Sequence, residues 1–197
     1  MIRIPASLRW RTIDIVVAST VAVAFGVVFW AWNNLWAATG AVFSFFLPAQ
    51  ALLYGVWLLP AVLGGLIIRR PGAAAYCELL AAIVSALLGS AWGTTVIVQG
   101  LLEGFAGELA FALLAYRAFG LAVAALSGAL AGLGATLYDA FVWYPDLGWL
   151  KYRGPYIGFG VLSSLLIAGV GGWYLTRSLV GTGVLDRFPA GRDRVKV

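Results

Sequence analysis

No histidine occurs in this chain of 197 residues, and Cys77 is its only cysteine. The usual zinc sites and any intrachain disulfide are thereby excluded. Charge is scarce as well. Asp, Glu, Lys and Arg make up 11% of the residues, and residues 15–68 contain none of them. As a helix that run would measure about 80 Å, against about 30 Å for the hydrocarbon of a bilayer, so it crosses a membrane more than once. What is abundant is apolar: 62% of the residues are hydrophobic, with a mean hydropathy of +0.95. The net charge of +5 does not point to nucleic acid, because the basic residues are scattered at the joints between apolar segments and form no patch. The chain reads as an all-α, multi-pass protein of the cell membrane.

Between the charged joints lie six apolar segments, at 12–32, 42–68, 73–91, 95–116, 118–143 and 155–176, each long enough for a transmembrane helix. They predict one compact six-helix domain over 1–180 and a basic, mobile cytoplasmic tail over 181–197. The second segment is overlong and carries Pro48 and Pro60. Residues 36–47 are therefore expected to form a separate short or re-entrant piece, with the true span starting near Pro48. The first segment exceeds a signal-peptide core and is expected to be a retained helix. With the N-terminus inside, eleven basic residues fall on the inner face (Arg3, Arg9, Arg11, Arg69, Arg70, Arg117, Arg177, Arg187, Arg192, Arg194 and Lys196). Only Lys151 and Arg153 fall outside. Both termini are thus expected to be cytoplasmic.

Asp14, Asp186 and Asp193 fall at the start of the first helix and in the tail, where solvated or dipole-compensating charge is the expectation. Glu78, Glu103, Glu108 and Asp139 lie within or at the edge of apolar spans, where an ionised group marks a site or a partnered pair. Glu78 and Glu108 sit about 12 to 13 Å from the inner joints by helical rise, a depth at which they can share a polar core. Glu103 is deeper, and Asp139 is close to the outer surface. Gln99 and Glu103, four apart, share one helical face.

Six of the nine tryptophans (Trp30, Trp32, Trp36, Trp92, Trp143 and Trp149) fall at outer ends or loops, with Trp10 and Trp173 inner and Trp57 inside a span. An interfacial belt would populate both faces, so the excess suggests an outer aromatic pocket. Asn33, Asn34, Gln50, Tyr54, Tyr138 and Tyr144 are expected in the same layer. Such a site suits a flat heteroaromatic ligand, and a nearby carboxylate favours a cationic one. Two ladders of small residues, Ala18, Ala22 and Gly26 on the first helix and Ala124, Gly128, Gly132 and Thr136 on the fifth, permit close helix approach.

Several stretches resemble the substrate-binding S components of energy-coupling factor (ECF) vitamin importers, specifically the YkoE type associated with thiamine and its hydroxymethylpyrimidine precursor. They are residues 10–15 (WRTIDI), 67–73 (IIRRPGA), 99–101 (QGL) and 107–112 (GELAFA), within a similarity that extends to about Leu179. The resemblance implies a small-molecule vitamin as cargo, captured from outside with no further cofactor. It also implies a transmembrane coupling subunit and two cytoplasmic ATPase subunits as partners. No G-x-x-x-x-G-K-[ST] sequence is present, so any ATP is hydrolysed elsewhere. In this family an A-x-x-x-A face on the first helix meets the coupling subunit, and Ala18 to Ala22 matches it, with Gly26 one step further. Another S-component subtype uses a pocket histidine that this chain lacks.

The ligand contacts expected from depth and chemistry are Glu103, Gln99, Asn33, Asn34, Trp32, Trp36, Tyr54, Trp92, Tyr138, Asp139, Glu78 and Glu108. Two other classes compete with a binding subunit. A membrane enzyme would need a nucleophile with a base, and Ser85, Ser163 and Ser164 have no histidine partner. A self-sufficient carrier with Glu78, Glu108 and Asp139 relaying protons would show internal repeats, and none is evident. An S component for a different vitamin is the remaining alternative.

Overall fold

The computed structural model describes residues 8–192; Arg3, Asp193, Arg194 and Lys196 lie outside the described residues. The first helix, α1 (Thr12–Thr39), has 28 residues, about 42 Å by helical rise, and so overshoots the hydrocarbon at its outer end. Neither a charge nor a proline interrupts it before Pro48, and residues 36–39 form its last turn. The separate 36–47 piece expected from the sequence is therefore the end of α1 followed by turns.

The second span begins, as Pro48 implies, with a 3-10 helix (Leu47–Val56), which gives way to α2 (Leu59–Ile68) with Pro60 in its first turn. Proline fixes φ and lacks an N–H, so it opens each piece and prevents one from running into the other as regular α-helix. A tight turn with Arg69 and Gly72 in the left-handed region leads into α3 (Ala73–Leu87). Then come α4 (Thr95–Leu113) and α5 (Leu121–Val142). The last span runs unbroken from Trp149 to Gly181. It comprises a π turn (Trp149–Arg153), α6 (Gly154–Ser164), a π segment (Leu165–Gly171) and α7 (Gly172–Gly181). A short α8 (Pro189–Arg192) follows.

Every residue of α2 from Pro60 to Ile68 is buried, because α1, α3, α4, α5 and α7 all pack around it. Glycines let neighbours approach this central rod: a side chain at Gly64 would meet the Cys77 sulfur at 2.6 Å. The α1 ladder is internal packing. Ala18 and Ala22 are buried, the Ala18 carbonyl accepts from the Cys77 thiol at 3.6 Å, and a Cβ at Gly26 would lie 2.5 Å from Val84 of α3. This corrects the expectation that Ala18, Ala22 and Gly26 face a coupling subunit: α3 already covers them. The α5 ladder is likewise occupied, with Gly132 against Ser164 and Gly128 against Gly169.

At the inner end the N-terminus, the α2–α3 turn and the tail meet. Trp10 Nε1 donates to the Pro71 carbonyl at 2.9 Å, and the Arg11 guanidinium lies 5.9 Å from the Phe188 ring. Asp14 is fully buried in the first turn of α1, so of the two readings, solvated or dipole-compensating charge, only the second holds. It pairs with Arg11 at 2.6 Å, lies 3.5 Å from Arg70 Nε and accepts from the Arg11 amide at 2.9 Å. Leu185 and Phe188 are buried among Ala18, Leu63 and Ile68, so the tail up to Arg192 is docked where mobility was expected.

Candidate functional site: an acidic aromatic cavity in the outer half

The five helices long enough to cross a membrane, together with the shorter α3 that the sequence suggested would span as well, all contribute to one cavity with ≈ 530 Å³ of empty space including its mouth. From α1 come Phe29, Asn33 and Trp36, and from the second span Tyr54 and Trp57. Ala82 of α3 and Trp92 of the next loop form one wall, with Val96, Gln99 and Glu103 of α4 beside them. Asp139 of α5, Trp143 and Tyr144 after it, and Tyr156 of α6 complete the lining.

The periodicity of α4 explains its share: residues 96, 99 and 103 recur at three- and four-residue steps and face one way. Behind them Gly100 and Gly104 have no side chain, so α4 sits tight on α3. A Cβ at Gly104 would meet Glu78 Cβ at 3.0 Å, and one at Gly100 would meet Ala82 at 2.5 Å.

Two polar networks set the shape. In the first, Asp139 Oδ2 accepts from the hydroxyls of Tyr54 at 2.8 Å and Tyr156 at 2.7 Å, while Oδ1 accepts from Gln99 Nε2 at 3.1 Å. Gln99 Nε2 also reaches the Tyr54 hydroxyl at 2.5 Å, and Glu103 lies beside these same two residues. In the second, Trp57 Nε1 donates to Asn33 Oδ1 at 3.1 Å and Asn33 Nδ2 donates to Ser90 Oγ at 3.1 Å. Aromatic rings brace one another edge to face or tilted: Trp36 with Trp57 at 5.1 Å, Tyr54 with Trp57 at 5.3 Å, and Trp92 with Trp143 at 5.5 Å. The lining holds two carboxyl side chains and no Lys or Arg. A cation with a flat ring system would meet carboxyl groups and ring faces there.

Of the contacts expected from the sequence, Glu103, Gln99, Asn33, Trp36, Tyr54, Trp92 and Asp139 line this cavity. The other five do not. Asn34 is exposed and donates back to the Trp30 carbonyl at 2.8 Å, Trp32 Nε1 is held by the Leu53 carbonyl at 2.9 Å, and Tyr138 is half-buried outside the lining.

Glu78 and Glu108 act on helix ends. Glu78 Oε2 accepts from the Ala61 amide at 3.0 Å, in the first turn of α2. Glu108 accepts from the amides of Gly72 at 2.8 Å, Ala74 at 2.7 Å and Ala75 at 3.3 Å, and from the Tyr116 hydroxyl at 2.7 Å. The first N–H groups of a helix have no intrahelical partner, and in lipid no water replaces it, so a buried carboxylate fits there. The two therefore share no polar core. Trp57, Tyr156 and Phe29 were not anticipated. Trp57 follows the 3-10 segment just before Pro60, and that break aims its ring inward; no sequence signal distinguished the other two.

Comparison with known proteins agrees with this architecture. A family profile described as the permease component of an ABC-type cobalt transport system matches residues 13–134. A Bacillus subtilis (strain 168) protein described as putative HMP/thiamine permease protein YkoE is 31% identical over 192 residues, covering 95% of this chain and 93% of that protein. A crystal structure described as an S-component of an ECF transporter superposes with a TM-score of 0.90 at 31% identity. The match covers 95% of this chain and 94% of the other.

Proposed function

This chain belongs to the YkoE-like S components of ECF transporters, within the permease family of ABC-type cobalt transport systems, and from that premise we propose that its outer cavity captures thiamine or its hydroxymethylpyrimidine precursor. It is a multi-pass membrane protein and a transport subunit, not an enzyme. The observation that carries the ligand reading is the cavity lining: Glu103 and Asp139 without a basic residue, among the rings of Trp36, Tyr54, Trp57, Trp92 and Trp143. Thiamine joins a flat pyrimidine to a cationic ring, so it matches both the charge and the aromatic faces. Asp139 already accepts three hydrogen bonds, which leaves Glu103 as the carboxylate for the cation. The cobalt in the family description finds no comparable donor set. The chain has no histidine, and no group of three His, Cys, Asp or Glu among the described residues can hold a metal.

The fold implies assembly with other ECF components. In this reading they are a transmembrane coupling subunit and two cytoplasmic ATPases, with the chain itself moving no cargo alone. Purified protein titrated with thiamine or hydroxymethylpyrimidine is expected to show saturable quenching of tryptophan fluorescence. Absence of quenching and of calorimetric heat with both would reject the ligand assignment. Vesicles containing this chain alone are expected to show no thiamine counterflow; counterflow would favour the self-sufficient carrier.

A further inference from the structure

The hydrogens that the neutral side chains around Glu103 can offer are all engaged elsewhere. Tyr54 and Tyr156 each give their hydroxyl hydrogen to Asp139 Oδ2, at 2.8 and 2.7 Å. The Gln99 amide gives one hydrogen to Asp139 Oδ1 at 3.1 Å and the other to the Tyr54 oxygen at 2.5 Å. A carboxylate only accepts, so it is the nitrogen of that amide, not its oxygen, that faces Asp139. Glu103 lies beside Gln99 and Tyr54 with 5% of its surface exposed, and none of those hydrogens is left for it. Neighbouring charge offers it nothing either. Asp139 faces it from α5 and Glu78 from α3, where Glu78 Oε2 is held by the Ala61 amide and Oε1 makes no hydrogen bond. The second span and α6 present the phenols of Tyr54 and Tyr156, and α1 presents the uncharged Phe29 and Asn33. No Lys or Arg lines the cavity, and Arg153, at the same end of the bundle, is engaged by the Tyr144 carbonyl at 2.8 Å and the Trp149 ring at 5.1 Å.

A carboxylate buried without a donor and beside two other acids is the costlier form of this side chain. The acid form supplies its own hydrogen, and the Gln99 carbonyl oxygen and the second lone pair of the Tyr54 oxygen are there to accept it. We propose that Glu103 carries a proton while the cavity is empty and surrenders it when the cation enters, so that each captured thiamine releases one proton to the outer solution. Acid and free cation become an ion pair and a solvated proton, and charge is conserved. The exchange rests on the reading of the cavity as a thiamine site. Asp139 takes no part in it: with hydrogen bonds to both of its oxygens it stays ionised and holds Gln99 and Tyr54 in place. Protons therefore compete with a cationic ligand at Glu103 and not with a neutral one.

The test is calorimetric titration of the full chain in detergent with thiamine, at one pH, in buffers of different ionisation enthalpy. The slope of the observed heat against that enthalpy counts the protons exchanged. Release of about one proton per thiamine is expected at neutral pH, with an affinity that rises up to about tenfold per pH unit while the empty site is protonated and levels off above that range. Neutral hydroxymethylpyrimidine is expected to bind at neutral pH with no proton released. Glu103→Gln, which keeps the shape of the acid form, is expected to unfold at the parental temperature and to bind thiamine more weakly, with neither proton release nor pH dependence. Thiamine binding without proton release in the parent, or release that persists in Glu103→Gln, would overturn the exchange and leave the ligand assignment standing. Absence of both heat and tryptophan quenching with thiamine would reject the assignment itself, and the exchange with it.

Discussion

At the inner end Glu108 accepts from three backbone amides and the Tyr116 hydroxyl, whereas at the outer end Glu103 borders an open cavity beside Gln99 and Tyr54. The two residues lie five apart on one helix, and each is about 5% exposed. Burial therefore does not separate a structural carboxylate from a binding one; the partners do. Backbone amides at a helix start are fixed and have no alternative acceptor in lipid, so Glu108 is committed to holding α3. The partners of Glu103 are side chains, Gln99 and Tyr54, which a ligand can replace as it cannot replace fixed backbone amides. Glu78 belongs with Glu108, since it closes the first turn of α2 from within the bundle.

The comparison breaks most directly at Glu108. Glu108→Ala leaves three amides and a phenol without their acceptor and is expected to destabilise the protein by more than about 3 kcal/mol, read as thermal unfolding in detergent. Parental stability would mean that the α3 start does not depend on it. The next effect belongs to α1. Ala22→Trp forces bulk between α1 and α3 and is expected to cost about 1 to 3 kcal/mol of stability and to weaken thiamine binding in parallel. A variant with parental stability and binding that nevertheless fails in ATP-driven uptake would restore Ala22 to a coupling face. Within the cavity, Trp57→Phe removes the indole donor to Asn33 while keeping a ring, and is expected to weaken binding by about 1 kcal/mol in calorimetry. Asn34→Ala is expected to change nothing in the same titration, because that side chain turns back to its own helix.

The scarcity of charge made the six spans legible, and Pro48 marked the start of the second. The i, i+4 spacing of Gln99 and Glu103 placed both on the cavity wall, and the outward excess of tryptophan indicated at which end to look. What remained hidden depends on which helix faces which. Depth along a helix located Glu78 and Glu108 within the membrane but says nothing of the two helix starts that meet them. The Ala18 to Gly26 ladder announces close approach without naming the neighbour, and that neighbour is α3. Asp14 reads as a first-turn acid, yet its ion pair with Arg70 spans 56 positions and no local pattern carries it. The end of α1 at Thr39 went unseen because residues 33–39 hold no charge, proline or glycine to stop a helix.

The claim that Glu103 is the carboxylate that recognises the cation is tested most directly by calorimetric titration of the Glu103→Gln protein with thiamine and with neutral hydroxymethylpyrimidine, beside the parent. The loss expected for thiamine is about 1.5 to 3 kcal/mol, the value of a hydrogen bond to a charged group, with a smaller loss for the neutral ring and an unchanged unfolding temperature. An unchanged thiamine affinity in a folded Glu103→Gln protein would contradict the account.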